Sequence, residues 1–294
     1  MTTQILSPAQ SSLQLELAPE REVAFDEVPS YASMLAAYHR AHAPELRAMI
    51  ADLKLDAESY VLDMACGAGT YTNWLAEELG AKGKVIGVDL SAAYLSQAQS
   101  TAAQTGNARQ ISFLSGDIGA LPFEDHTFDL VWCAQSLYSL PSPQGTLREL
   151  HRVTRPGGKV VVFENDVFHQ VILPWPPMLE LAVRQAQLQS LAESSPGASK
   201  FFISRQFCSI FTTAGFSECK IKPYTAVRHA PLGADEHRFI TDYLADLKSR
   251  AQLYLDPLMQ SWFDQLVDPD SPMYMLNRPD FFVTYIDLVA YGTK

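Results

Sequence analysis

The sequence predicts an α/β protein with a mostly parallel sheet and helices on both faces. Two observations carry that prediction. Between residues 55 and 165, short β-branched runs alternate with stretches of helical periodicity. The first run, moreover, ends in VLDMACGAGTYT (61–72), an acid followed by a glycine turn that opens into a helix. Strands are expected near 59–63, 84–88, 110–114, 128–133 and 158–164, with helices near 70–79, 91–104 and 144–153.

Residues 1–27 are polar and carry Pro8 and Pro19, so a loose arm is expected there. From 31 to 53 apolar residues recur at helical spacing (Met34, Leu35, Tyr38; then Leu46, Met49, Ile50, Leu53), and Pro44 divides two helices. His39 and His42 could share a helix face, but without an HExxH or a Cys/His cluster no metal site is expected. In the glycine turn, Gly67 and Gly69 let the backbone approach a ligand at the exposed N–H groups of a helix start. The second strand ends in Asp89, placed to accept hydrogen bonds from ribose hydroxyls. A dinucleotide fingerprint needs a third small residue, where this chain has Thr72, and Asp63 would repel a pyrophosphate. An acid beside the turn suits a ligand with a cationic ammonium group, which leaves a dehydrogenase disfavoured.

With D-x-x-C-G-x-G, the following helix and the second acid in order, the chain resembles the class I S-adenosylmethionine-dependent methyltransferases. The resemblance implies a Rossmann-like seven-stranded sheet, mostly parallel with its last strand antiparallel, and S-adenosyl-L-methionine as cofactor. It implies a cofactor site of Asp63, Gly67, Gly69, Asp89, Leu90, Asp117, Ile118 and Cys133. In SGDIGALPFEDHTFDLVW, Asp117 and the Ile118 amide match the positions that meet the adenine. CAQSLYSLPSP matches the segment beside the methionine end, where Tyr31 and Tyr38 would close over. The core also resembles the ubiquinone and menaquinone C-methyltransferases. Cys66 and Cys133 lie near the cofactor in this scheme, and His151 lies far from the strand ends; none is expected to be catalytic.

The remaining chain exceeds a minimal core. The expected division is 1–54 arm and helices, 55–166 cofactor core, 167–200 insertion, 201–225 core, 226–278 second insertion and 279–294 final strand. The first insertion carries a helix near 178–191. The second carries Phe239, Ile240, Tyr243, Leu244 and Leu247 at helical spacing, then a break at Pro257. Both insertions leave from the carboxyl ends of strands, where α/β sheets bind ligands, so helical caps over the site are expected. Glu164, Asp166 and His169 after the fifth strand, and Tyr138 after the fourth, fall at that end. His169 would suit a hydroxyl acceptor as general base, and the two acids a cationic amine.

Net charge is -11, which disfavours nucleic acid as substrate, since phosphate contacts need a basic face. Four scattered cysteines without a CxxC pair, together with an N-terminus lacking a basic and apolar leader, point to a cytoplasmic protein. No run approaches the ~18 apolar residues of a membrane span. The aromatic cap favours a small apolar or aromatic substrate, plausible for specialised metabolism, and the sequence sets no oligomeric state. A non-catalytic S-adenosylmethionine-binding regulator or partner subunit is the alternative.

Overall fold

The computed structural model describes residues 28–194 and 198–294. The arm expected at 1–27 lies outside the described residues. Strands β1 (Tyr60–Met64), β2 (Lys84–Asp89), β3 (Ile111–Ser115), β4 (Phe128–Ala134) and β5 (Thr154–Glu164) form a parallel sheet in the order β3-β2-β1-β4-β5. Along these strands Val61, Trp132, Val161 and Phe163 enter one apolar cluster, while Leu62, Val131, Cys133, Val160 and Val162 enter the other. That alternation is the period-two signature of a sheet buried on both faces. Complete burial of a side chain such as Phe163 contributes about 1.5–3 kcal/mol.

Beyond β5 the chain adds β6 (Val171–Ile172), β7 (Glu218–His229) and β8 (Phe282–Thr293). The last strand lies antiparallel between β5 and β7, as expected, and pairs with both. Two features differ from the sequence reading. The first insertion contributes β6, an eighth strand of two residues that pairs with β8 beyond the end of β5. In addition β7 runs to His229, past the boundary expected at 225, because β8 offers an unbroken ladder over that length.

Helices α1 (Ala32–Ala41) and α2 (Ala43–Ala51) precede the sheet; α3 (Thr70–Glu77), α4 (Ala92–Thr105) and α5 (Pro143–Val153) connect its strands. The insertions supply α6 (Pro177–Ser194), then α8 (Ala234–Ala251) and α9 (Pro257–Val267), with α7 (Phe207–Ala214) between them in the core. The stripe Phe239, Ile240, Tyr243, Leu244 and Leu247 is buried, and α8 packs against α1, α6 and α9. Pro257 stands at the first turn of α9, capped by Asp256 accepting from the amides of Leu258 and Met259. No helix among the described residues is long and apolar enough to cross a membrane.

The start of α3 depends on Gly69, left-handed at φ +76. A Cβ there would also lie 2.9 Å from the Ala98 Cβ of α4. Gly69→Ala should therefore destabilise the fold by about 1–3 kcal/mol through backbone strain alone, read as a lower urea midpoint. An unchanged midpoint would show that the turn relaxes freely.

Candidate active site

The turn after β1 is built around alternate left-handed residues, Ala65 at φ +54, Gly67 at +51 and Gly69 at +76. It is tied to β2 by two hydrogen bonds, and a third, from Ser91, holds the carboxylate that ends β2. The Cys66 amide donates to the Val88 carbonyl at 3.0 Å. The amides of Gly67 and Ser91 donate to opposite oxygens of Asp89, at 2.9 and 2.8 Å. Asp89 is thus fixed in orientation while each oxygen keeps lone-pair capacity for a ligand hydroxyl. In front of Gly67 a Cβ would meet nothing within 4 Å, so the turn leaves open space beside that carboxylate. These features fit a nucleoside whose ribose reaches Asp89.

Asp63 is buried and accepts a 2.5 Å hydrogen bond from the Thr72 hydroxyl. Thr72 occupies the position where a dinucleotide turn carries Gly or Ala, and the bond explains its presence. Burial, reinforced by the charge of Asp89, pushes the Asp63 carboxyl up to about 7. Asp117 is exposed after β3 and accepts from the Gly119 amide at 2.8 Å, with Ile118 buried beside it. Leu90 is exposed, whereas the Cys133 side chain is wholly buried in the core with Leu62 and Val162. Cys133 can therefore meet a cofactor only through its backbone.

Next to this turn a cavity of 310 Å³ opens at the carboxyl ends of β4 and β5. Its floor is Gln135, Glu164, Asn165, Tyr285 and Asp287; its roof is Tyr31, Met34, Leu35 and Tyr38 of α1 with Phe239, Tyr243, Asp246 and Arg250 of α8. Val167, Gln170 and Val171 of the first insertion, with Phe201 just after it and Tyr138, close the side. The two insertions and α1 thus meet over one space.

Of the four residues expected to carry chemistry, Glu164 and Tyr138 line the cavity. Glu164 accepts from the Ser136 amide at 2.9 Å and the Tyr138 amide at 3.3 Å. Burial pushes its carboxyl up to about 8, against the lowering effect of those amides. Burial likewise raises the Tyr138 phenol to about 12. Asp166 and His169 do not line the cavity, which corrects the expectation of a base or an amine site there. Asp166 pairs with Arg205 and accepts from His169 Nδ1 at 3.0 Å, and the His169 side chain is 64% exposed. The period of two placed Glu164 and Asp166 alike only while the backbone stayed extended; the chain turns at Asp166, whose carbonyl accepts from the amides of His169 and Gln170.

The sequence reading missed Asp287, Asn165, Gln135 and Tyr285. Asp287 accepts from the Tyr38 hydroxyl at 2.9 Å, and burial pushes it up to about 7. A signal existed for it: an acid at an inward position of an otherwise apolar strand, FVTYIDLVAY, is rarely buried without a purpose. Gln135 takes a left-handed φ of +52, unusual outside glycine, with its amide bonded to the Phe163 carbonyl at 2.7 Å.

Residues 61–158 match the family model described as a methyltransferase domain. The chain is 34% identical over 178 residues to a demethylmenaquinone methyltransferase of Lactiplantibacillus plantarum, covering 57% of this chain and 74% of that protein. Among solved structures, a putative methyltransferase of Bacillus halodurans is similar with a TM-score of 0.52 at 17% identity, over 84% of this chain and 98% of that one. A chain in the complex of the Haloferax volcanii Trm112 methyltransferase activator with a putative methyltransferase gives a TM-score of 0.54 at 18% identity, over 93% and 99% of the two chains. The structural likenesses speak for the fold.

The buried acid makes stability depend on pH. Unfolded, Glu164 titrates near the ordinary ~4.3; folded, it holds its proton up to about 8. Its contribution is complete below the unfolded value and is lost as pH rises through the folded one. Urea denaturation between about pH 5 and 9 should show Glu164→Gln losing less stability than the wild type. Parallel curves would mean that the carboxyl does not titrate in this window.

Proposed function

Because this chain belongs to the class I S-adenosylmethionine-dependent methyltransferases, we propose that it methylates a small, apolar or aromatic molecule held in the capped cavity. The enzyme uses S-adenosyl-L-methionine, whose charged sulfur supplies a methyl group and retains the electron pair of the broken C–S bond. The observation that carries the substrate class is the enclosure of one cavity by α1, α8 and the first insertion, under Tyr31, Tyr38, Phe201, Phe239 and Tyr243. Its volume lies at the lower end of the roughly 300–1,000 Å³ of small-molecule sites. Relatives named for a quinone support an aromatic ring as acceptor. Free cysteines Cys66, Cys133, Cys208 and Cys219 support a reducing, cytoplasmic setting, and specialised metabolism remains part of the proposal.

In this reading Asp89 holds the ribose hydroxyls, the Gly67–Gly69 turn approaches the cofactor through its backbone, and Asp117 with the Ile118 amide meets the adenine. Leu90 borders the ribose. Asp63 acts on the ammonium group at one remove, through its charge and through Thr72. The cap excludes water while an electron pair of the acceptor, a lone pair on a heteroatom or a π pair of an activated ring carbon, forms the bond to the methyl carbon. Glu164 then accepts the proton that the acceptor releases, and the backbone amides of Ser136 and Tyr138 stabilise the carboxylate before it does so. A base that burial holds near 8 combines proton affinity with a usable ionised fraction at neutral pH.

Two measurements test this. Asp89→Ala should weaken S-adenosylhomocysteine binding roughly ten- to hundredfold in titration calorimetry, from lost hydrogen bonds of about 1.5–3 kcal/mol; undiminished affinity would remove the ribose assignment. Tritium transfer from labelled S-adenosylmethionine to a panel of phenols and reduced naphthoquinones should then reveal an acceptor. With it, Glu164→Gln should lower turnover by about 10²–10⁴-fold, the usual contribution of a general base, while His169→Ala stays near wild type. The reverse ranking would return the base to His169.

A further inference from the structure

Resting on the aromatic-acceptor reading, we propose that Asp287, Asn165 and Tyr285 form a hydrogen-bonding subsite that receives a hydroxyl group of the substrate ring. The first observation is a pair of unsatisfied polar atoms. The Tyr285 hydroxyl and the Asn165 Oδ1 are buried without a partner, and both residues line the cavity. Tyr285 is only 2% exposed, so bulk water does not serve that hydroxyl. Buried polar atoms in native proteins are nearly always paired, and an unpaired one on a residue that lines a cavity marks a place where a ligand can complete it.

The second observation is that Asp287 is built into place from several sides. The β5–β8 register sets Glu164 opposite Leu288, which brings Asn165 beside Asp287. The Tyr38 hydroxyl of α1 donates to one carboxylate oxygen, and the Asn165 side chain bonds the same group. Glu45 of α2 also acts on it from farther off, and burial moves its titration to about 7. Tyr285 and Asp287, two apart on β8, face the same side of the sheet.

A hydroxyl fits this set better than other substituents. It donates one hydrogen bond, which Asp287 or the Asn165 Oδ1 can accept, and it accepts one, which the Tyr285 hydroxyl can donate. An ether offers no donor, and a bare hydrocarbon edge leaves the Tyr285 hydroxyl and the Asn165 Oδ1 unpaired. Glu164 sits apart from this group, bonded to the loop after β4, so recognition and proton transfer fall to different carboxylates.

The test uses the full chain saturated with S-adenosylhomocysteine and two rings of similar size, 1-naphthol and 1-methylnaphthalene. The naphthol should bind at least about tenfold more tightly, since a site built to hydrogen-bond a hydroxyl rejects the analogue lacking it. Tyr285→Phe and Asp287→Asn should each reduce that preference severalfold without changing S-adenosylhomocysteine affinity. Tyr285→Phe should also leave the melting temperature of the unliganded protein equal or higher, because it removes a hydroxyl that has no partner. If Asp287→Asn does not fold, Tyr285→Phe decides alone. Equal binding of both rings, or a preference that survives Tyr285→Phe, overturns the subsite and leaves the aromatic reading standing. Binding of neither ring by cofactor-saturated protein overturns the aromatic reading and the subsite with it.

Discussion

The antiparallel ladder of β8 is the constraint on which the rest of the molecule depends. A parallel sheet of five strands leaves the far edge of β5 with unpaired backbone groups in a buried setting, where each is costly. The last strand of the chain pairs that edge over 159–164, then continues past it to pair β6, and along its other side it pairs β7 throughout. The first insertion leaves from the end of β5, and the second runs from β7 to β8. Their helices are therefore anchored at the carboxyl ends of β4 and β5, the end at which an open α/β sheet binds its ligands.

The same placement explains why carboxylates here titrate so far from their ordinary range. Asp63, Glu164 and Asp287 each follow from a polar demand at the edge of an apolar core, and each is pushed upward chiefly by burial. The partners differ. Asp63 is held by a threonine hydroxyl, Glu164 by two amides, Asp287 by a tyrosine and an asparagine. Asp89, by contrast, has both oxygens engaged by amides and stands at the open side of the glycine turn. The site thus holds three buried acids with side-chain or backbone partners and one acid at its open side.

The cap gives the cavity its apolar character. Because α8 turns one stripe toward α1, α6 and α9, Phe239 and Tyr243 of that stripe reach the cavity, and Asp246 and Arg250, which also line it, pair with each other. The aromatic rings of α1 and α8 approach closely: Tyr38 lies 5.3 Å from Phe239 between centroids. Phe201, just after the first insertion, lies 5.7 Å from Tyr138 and closes a further side.

What the sequence determined by itself is the core and the cofactor turn. Strand and helix periods are local properties, and an acid, two glycines and a second acid in a fixed order act within one βαβ unit, so 61–89 could be read without knowing any distant contact. The stripe on α8 was legible for the same reason. The tertiary structure decided which side chains share the cavity. Asp287 meets Tyr38 across 249 positions of sequence, and Asn165 meets Asp287 only through the register of β5 on β8. Asp166 and His169, adjacent in sequence to Glu164, are drawn off to Arg205 by the turn that follows the strand. Pairing register and chain reversal are set by long-range hydrogen bonding and packing, which no window of sequence contains.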